Sequence, residues 1–303
     1  NSLLYMMKNK TFFIKSYGCQ MNEYDSNKIN SLLLNDGYFN SSDIQNADLI
    51  VFNTCNIREK AAQKVYSDIG RVTKEDKSKT IALVGCVAQA ENDEIFKKNK
   101  DVDIVLGPQS YHLLPKMLKA HKYYKEKQIN TEFIINEKFD LIREEKSPKG
   151  VSSYITIQEG CDKFCAFCVV PFTRGPEYSR SIESIVKEAE ALTESGTREI
   201  ILLGQNVNAY QYIDNKEISY SISKLIDEVS KIEKVKRIRY TTSHPNNMDN
   251  ELIQLHGSNE KLMPFLHLPV QSGSDEILNK MNRKYNISEY KHIIDNLKTV
   301  RPN

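Results

Sequence analysis

Three of the six cysteines in this chain stand together in Gly160-Cys161-Asp162-Lys163-Phe164-Cys165-Ala166-Phe167-Cys168. A thiolate is a soft ligand, and the CxxxCxxC spacing puts three thiolates on one short loop, a loop able to wrap a zinc ion or an iron–sulfur cluster. Structural zinc takes four protein ligands, and this loop supplies three. The nearest histidines in sequence, His121 and His244, are far from it. A 4Fe–4S cluster held by three cysteines keeps one iron open, and an open iron can bind a substrate. A cluster is thus favoured over zinc, and over reduced bystander thiols.

The other three, Cys19, Cys55 and Cys86, lie one by one after apolar runs, and their meaning depends on the elements that carry them. Strands are expected at residues 11–14, 48–52, 80–84 and 103–107. A helix after Gly18 would bury Ile29, Leu32 and Leu33 and stop at Gly37. A second helix over 58–77 turns Ala61, Val65 and Ile69 inward, and a mostly helical stretch runs to Tyr124 with Pro115 in its first turn. Strands alternating with helices give a doubly wound parallel sheet. Each of the three cysteines then falls just past the C-terminal end of a strand, the edge where ligands gather in open α/β sheets. Three thiols distant in sequence can converge there on a second cluster; the alternative is three buried structural cysteines.

The pattern loosens after residue 126, with a short strand at 131–135 and an exposed connector from Arg143 to Gly150. This gives domains at 10–126 and 147–303 with a linker at 127–146. Strand and helix then alternate again: strands at 154–157, 199–203, 237–241 and 265–268, helices at 182–194, 221–232 and 250–255, and a last helix carrying Tyr290, Ile293, Ile294 and Leu297. These are four βα units of a partial parallel barrel, whose site belongs at the C-terminal strand ends. The polar residues there are Gln205, Asn206, Ser243, His244, Gln271 and Ser272, each a pocket contact or a turn residue. Arg174, Glu177 and Arg180 follow the cysteine loop; they would bind a ligand or phosphate, or form ion pairs that fix the loop.

A length of 303 residues suits about two domains. At 40% hydrophobic residues the chain can build a core, and no apolar run reaches the roughly 18 residues of a membrane span. The first residues are too short for a signal peptide, and Met6 or Met7 is a candidate start. Six cysteines without a secretory signal point to reduced cytoplasmic thiols used as ligands. A net charge of +2 does not announce a nucleic-acid binder, although basic clusters occur at 234–239 and 116–127.

The chain resembles the methylthiotransferases of the radical S-adenosylmethionine (SAM) superfamily, and within them the MiaB-type branch that modifies tRNA. The resemblance runs from about Lys10 to the end. It rests on Tyr17-Gly18-Cys19-Gln20-Met21-Asn22, Asn53-Thr54-Cys55-Asn56-Ile57-Arg58, Gly85-Cys86, the loop from Cys161 to Cys168, and Val169 through Arg180. Gly204-Gln205-Asn206-Val207-Asn208, Ser243-His244-Pro245 and Leu268 through Ser274 complete it. Gln20-Met21 turns the reading toward the tRNA branch. The resemblance implies two 4Fe–4S clusters and SAM as cofactors. Cys161, Cys165 and Cys168 would hold the cluster that cleaves SAM to a 5′-deoxyadenosyl radical, and Cys19, Cys55 and Cys86 an auxiliary cluster that carries or delivers sulfur. Gln205, Asn206, Ser243, Gln271, Arg174 and Glu177 would line the SAM or substrate pocket. One SAM would methylate the sulfur and another supply the radical that activates carbon 2 of an isopentenylated adenosine beside the anticodon. Expected partners are that tRNA, reduced flavodoxin or ferredoxin, and a sulfur donor, with no membrane and a monomeric chain. Alternatives are action on threonylcarbamoyl-adenosine or a ribosomal protein, or a non-catalytic iron–sulfur or zinc RNA-binding fragment. The family's barrel has six βα units followed by an RNA-binding TRAM domain, so a C-terminal truncation is also expected.

Overall fold

The structure, a computed structural model, describes residues 10–56, 59–133 and 150–302. The chain divides into two units, residues 1–143 and 144–303.

In the first unit the elements are β1 (Thr11–Ser16), α1 (Gln20–Asn35), β2 (Phe39–Asn40), β3 (Leu49–Thr54), α2 (Glu59–Glu75), β4 (Thr80–Gly85), α3 (Cys86–Glu91), α4 (Glu94–Lys98), β5 (Ile104–Leu106), a 3₁₀ turn at Tyr111–Leu113, α5 (Leu114–Tyr124) and β6 (Gln128–Asn130). The six strands pair in parallel in the order β2-β1-β3-β4-β5-β6. Strand alternation sends Phe12, Leu49, Val51, Ala82 and Val84 to one face, against Ile29 and Leu33 of α1 and Leu114 and Met117 of α5. Ile50, Phe52, Ile81 and Leu83 go to the other face, against Val65 and Ile69 of α2 and Ile95 of α4. With helices on both faces, all six residues of β3 are buried, which is why its first four, Leu49 to Phe52, read as an unbroken apolar run. The sheet is doubly wound, and Pro115 does sit in the first turn of α5.

One element of this unit differs from the sequence reading: of the strand expected at 131–135, the described residues 131–133 are not strand, and the sixth strand is Gln128–Asn130. It begins earlier because Gln128 N–H finds Asp103 O at 2.9 Å as soon as α5 has ended. Residues 134 and 135, like the connector residues 143–149 and the N-terminal residues 1–9, lie outside the described residues. The start of α2 at Arg58 and the side chain of Ala61 lie outside them too.

The second unit runs through β7 (Ser152–Thr156), β8 (Gln158–Glu159), α6 (Val170–Arg174), β9 (Tyr178–Ser179), α7 (Ile182–Glu194), β10 (Glu199–Leu203), a 3₁₀ turn at Val207–Ala209, β11 (Gln211–Ile213), β12 (Ser219–Ser221), α8 (Ile222–Ser230), β13 (Arg237–Thr241), a 3₁₀ turn at Pro245–Asn247, α9 (Asn250–Ser258), α10 (Asp275–Lys280) and α11 (Ile287–Val300). Strands β7, β10 and β13 form a parallel sheet in chain order. Its core joins Ile155, Ile200, Leu202, Ile238 and Tyr240 to Ile185 and Ala189 of α7, Leu225 and Val229 of α8, and Leu252 of α9. Side-chain caps fix several helix starts: Ser181, Ser221 and Asp249 each accept a backbone N–H three residues on, and Asn286 with Glu289 forms a capping box.

The strand expected at 265–268 does not form. One parallel bridge joins Ile238 to Leu262, after which residues 263–270 form no ladder. Pro264 and Pro269 each lack an N–H to give, and Phe265 is exposed under the Arg239 guanidinium, 5.6 Å from its ring centre. The fourth βα unit is thus an irregular segment plus helix.

Candidate metal centres

The loop that bears Cys161, Cys165 and Cys168 is anchored at both ends. Strand β8, just before it, pairs antiparallel with β9, just after it. Gly160 takes φ +77°, and a Cβ there would lie 1.8 Å from Pro176 O, so only glycine lets the two arms approach this closely. Cys161 N–H donates to Gly175 O at 3.2 Å. Gln158 and Gln205 tie this base to the end of β10: Gln205 Oε1 accepts from Gly160 N at 2.7 Å, and Gln158 Oε1 accepts from the N–H groups of Gln205 and Asn206 at 3.0 and 3.1 Å.

Inside the loop each sulfur faces one N–H donor. The backbone N–H of Lys163 serves Cys161, that of Val170 serves Cys168, and Arg283 Nη1 lies 3.1 Å from Cys165 Sγ. Burial pushes the Cys161 thiol up to about 11, with Glu177 and the two neighbouring thiols adding to the rise. Burial also raises Cys168. Burial thus works against the thiolate form at Cys161 and Cys168, and a bound metal cation would offset it. Among the described residues no three His, Cys, Asp or Glu side chains are gathered tightly enough to hold one metal ion. Zinc draws its sulfurs to about 2.3 Å from one centre. Three cysteine sulfurs with N–H donors facing them are a donor set that a cluster with one open iron would use, whereas a structural zinc site would need a fourth protein ligand.

The polar residues expected near this loop are distributed unevenly. Asn206 Nδ2 donates to Glu177 Oε1 at 2.9 Å, and Glu177 Oε1 also accepts from Asp162 N at 3.3 Å. Among the described residues, Asn206 Oδ1, Ser243 Oγ and His244 Nε2 are buried without partners at the C-terminal ends of β10 and β13. His244 Nδ1 accepts from Asn246 N at 3.2 Å, which assigns the ring proton to Nε2. Burial first, then Arg283 and Lys163, brings its pKa down to about 3, so the ring is neutral and offers an N–H. Arg174 lies buried 3.6 Å from the buried Glu159. Arg180 is held by Glu188, Thr156 O and Ser184. Gln271 is exposed at a turn with φ +66°.

In the first unit the cysteine-bearing strands β1, β3 and β4 are immediate neighbours. Cys19 caps α1, Cys55 follows β3, and Cys86 opens α3 directly after β4. Cys55 and Cys86 are buried and Cys19 is exposed. A Cβ on Gly18 would lie 2.6 Å from Cys55 Cβ, so the Cys19 turn sits against Cys55. Asn22 donates to Asn53 Oδ1 and Thr54 O, and Asn53 Nδ2 returns bonds to Asn22 O and Ser26 Oγ. Thr54 Oγ1 donates to Val84 O at 2.6 Å and accepts from Val87 N. These buried bonds brace the three strand ends into one rim.

Several bracing residues were not singled out from sequence: Asn22, Asn53, Gln158, Asn282 and Arg283. The first three sit beside cysteines and are of types suited to bonding backbone, which is a usable signal. Arg283 had none, being over a hundred residues from its sulfur. Of the basic clusters, the one at 234–239 is largely ion-paired: Lys234 with Glu194, and Arg237 and Arg239 with Glu199. In the other, Lys122 and Lys125 line a cavity of about 430 Å³ with Lys10 and Lys77.

Residues 11–107 match Uncharacterized protein family UPF0004, and residues 155–302 match the Radical SAM superfamily. A protein of Rickettsia rickettsii (strain Sheila Smith) named tRNA-2-methylthio-N(6)-dimethylallyladenosine synthase is 49% identical over 301 residues, covering 97% of this chain and 68% of the relative. A protein of the same name from Ehrlichia canis (strain Jake) is 52% identical over 298 residues, covering 97% of this chain and 67% of the relative. Among solved structures, the radical S-adenosylmethionine methyltransferase TsrM from Kitasatospora setae, with cobalamin and a [4Fe-4S] cluster bound, has a TM-score of 0.66 at 12% identity. The match covers 97% of this chain and 68% of that one, a likeness of fold alone.

Proposed function

Because this chain belongs to the tRNA-2-methylthio-N(6)-dimethylallyladenosine synthase family of radical SAM methylthiotransferases, we propose that it replaces the C2 hydrogen of isopentenylated adenosine beside the tRNA anticodon with a methylthio group. One observation carries the reading: two separate sets of three cysteines, each at the C-terminal strand ends of its own parallel sheet. In this reading Cys161, Cys165 and Cys168 hold one 4Fe–4S cluster and Cys19, Cys55 and Cys86 the other. A cluster held by Cys161, Cys165 and Cys168 would supply the electron for reductive cleavage of SAM.

The chain's own residues do the rest of the positioning. Gly160, Gln158 and Gln205 hold the loop at the end of the sheet. Asn206 Oδ1 and Ser243 Oγ, buried and unpartnered among the described residues, supply an acceptor and a hydroxyl to a polar ligand, and His244 Nε2 supplies an N–H. Glu177 orients Asn206. Arg174 sits behind the loop with Glu159 and acts through it, and Gln271 lies on the exposed rim. We take the partners to be the tRNA, a low-potential donor such as reduced flavodoxin or ferredoxin, and a sulfur donor, with the chain acting as a monomer in the cytoplasm. No helix among the described residues is long and apolar enough to cross a membrane.

The test is anaerobic reconstitution followed by iron and sulfide analysis, then addition of dithionite, SAM and tRNA that carries isopentenyladenosine. The expected result is about eight irons per chain for two four-iron clusters, 5′-deoxyadenosine, and the 2-methylthio nucleoside in digested tRNA. Zinc without sulfide, or methylthiolation confined to threonylcarbamoyl-adenosine, overturns it.

A further inference from the structure

We propose that Arg283 sets the reduction potential of the cluster held by Cys161, Cys165 and Cys168; the inference rests on that assignment of the three cysteines. Three consecutive residues reach three consecutive residues of the loop. Met281 O accepts from Ala166 N at 3.1 Å, Asn282 Nδ2 donates to Phe164 O at 2.9 Å, and Arg283 Nη1 reaches Cys165 Sγ at 3.1 Å. The bracket is made by backbone that few side chains adopt. Asn282 and Lys284, on either side of Arg283, both take φ +58°, and Phe164 takes φ +47° opposite them. Tyr285 steadies the guanidinium, 5.3 Å from its ring centre, and is itself fixed by a 2.7 Å bond to Val270 O.

Arg283 is 6% exposed, and among the described residues its guanidinium has no carboxylate partner. A guanidinium stays charged at any working pH, and a buried cation without an anion is costly. The anion that fits is the set of thiolates and the cluster they carry. One-electron reduction adds negative charge beside this cation, so Arg283 stabilises the reduced form more than the oxidised one. Net charge and hydrogen bonds to the sulfurs are the protein's means of tuning such a centre. Of the three N–H donors to this triad, two belong to the backbone. Arg283 is the donor that a substitution can remove. It acts through Cys165 and is therefore a positioning residue.

The experiment is an EPR-monitored redox titration of the reconstituted protein, wild type against Arg283→Gln and Arg283→Lys. The cluster in question is the one whose signal changes when SAM is added. In Arg283→Gln the equilibrium constant for its one-electron reduction should fall tenfold or more, about 59 mV more negative for a one-electron couple. Arg283→Lys keeps the charge and should fall less. Reduction constants in both variants within twofold of wild type overturn the proposal. So does a raised KM for SAM at unchanged potential, which would make Arg283 a SAM contact. Absence of iron from this site in both variants overturns it as well, since Arg283 would then serve assembly. Failure of the underlying assignment looks different: a Cys161→Ala/Cys165→Ala/Cys168→Ala chain would keep its full iron content.

Discussion

Arg174 and Glu159 show how a charged residue near a site can serve the scaffold. Both side chains are almost fully buried and their charged atoms lie 3.6 Å apart. Arg174→Met removes the cation 3.6 Å from a buried carboxylate, and breaking a buried pair this way costs about 3–5 kcal/mol. Urea unfolding of the metal-free protein should show a loss of that order, with much of it recovered in Arg174→Met/Glu159→Leu. A variant of normal stability with weakened SAM binding would place Arg174 at the ligand instead. His256 gives a pH dependence. It is buried against Tyr240, whose hydroxyl is 2.6 Å from Nε2, and burial, then Arg301, brings its pKa from 6.5 to about 4. A depressed histidine stays neutral when folded and takes up a proton when unfolded. Its contribution is therefore complete above pH 6.5 and lost as pH falls toward 4. At pH 5 the loss amounts to about 2 kcal/mol. Unfolding curves at pH 7.5 and 5 should separate more for wild type than for His256→Gln.

At the scale of elements, the cysteine loop depends on the β8–β9 pair that closes it, and that pair depends on Gly160. A Cβ at this position meets backbone at 1.8 Å and the residue holds φ +77°. Gly160→Ala must therefore move one arm, at a cost of about 1–3 kcal/mol for a strained backbone. Its expected signature is loss of iron from the loop triad while roughly half the iron of two four-iron clusters remains; unchanged iron content would show that the arms can part without moving the sulfurs. The same elements show where sequence was readable. Strands β3 and β4 are covered on both faces, so they announce themselves as apolar runs, and a cysteine just past each end is placed with them. Strands β8, β9, β11 and β12 have only two or three residues each, too few for any period to show. The stretch 265–268 is apolar enough to read as a strand, yet its ladder was decided by two flanking prolines and an unpaired edge. The Arg283 contact was illegible because it requires left-handed backbone at Asn282 and Lys284, which tertiary contacts impose.

At the scale of the molecule, each cysteine triad lies within one unit, and each unit has its own core. One cluster of buried side chains in the second unit runs from Ile155 to Leu268, and two in the first flank the six-stranded sheet. No cysteine of one set braces the other set among the bonds described for either site. Metal loading should accordingly be modular. Cys19→Ala/Cys55→Ala/Cys86→Ala is expected to retain about four irons, those of one four-iron cluster, and to cleave SAM to 5′-deoxyadenosine without forming the methylthio nucleoside. Cys161→Ala/Cys165→Ala/Cys168→Ala is expected to retain a similar amount of iron with no cleavage of SAM. The two phenotypes are expected to be asymmetric because, in the proposed reading, radical generation needs only the Cys161–Cys168 triad, whereas the product needs both. Iron and sulfide per chain, read together with nucleoside analysis, check this. Loss of all iron from either triple variant would mean that the units load cooperatively, and equal loss of SAM cleavage in both would remove the division of labour between the triads.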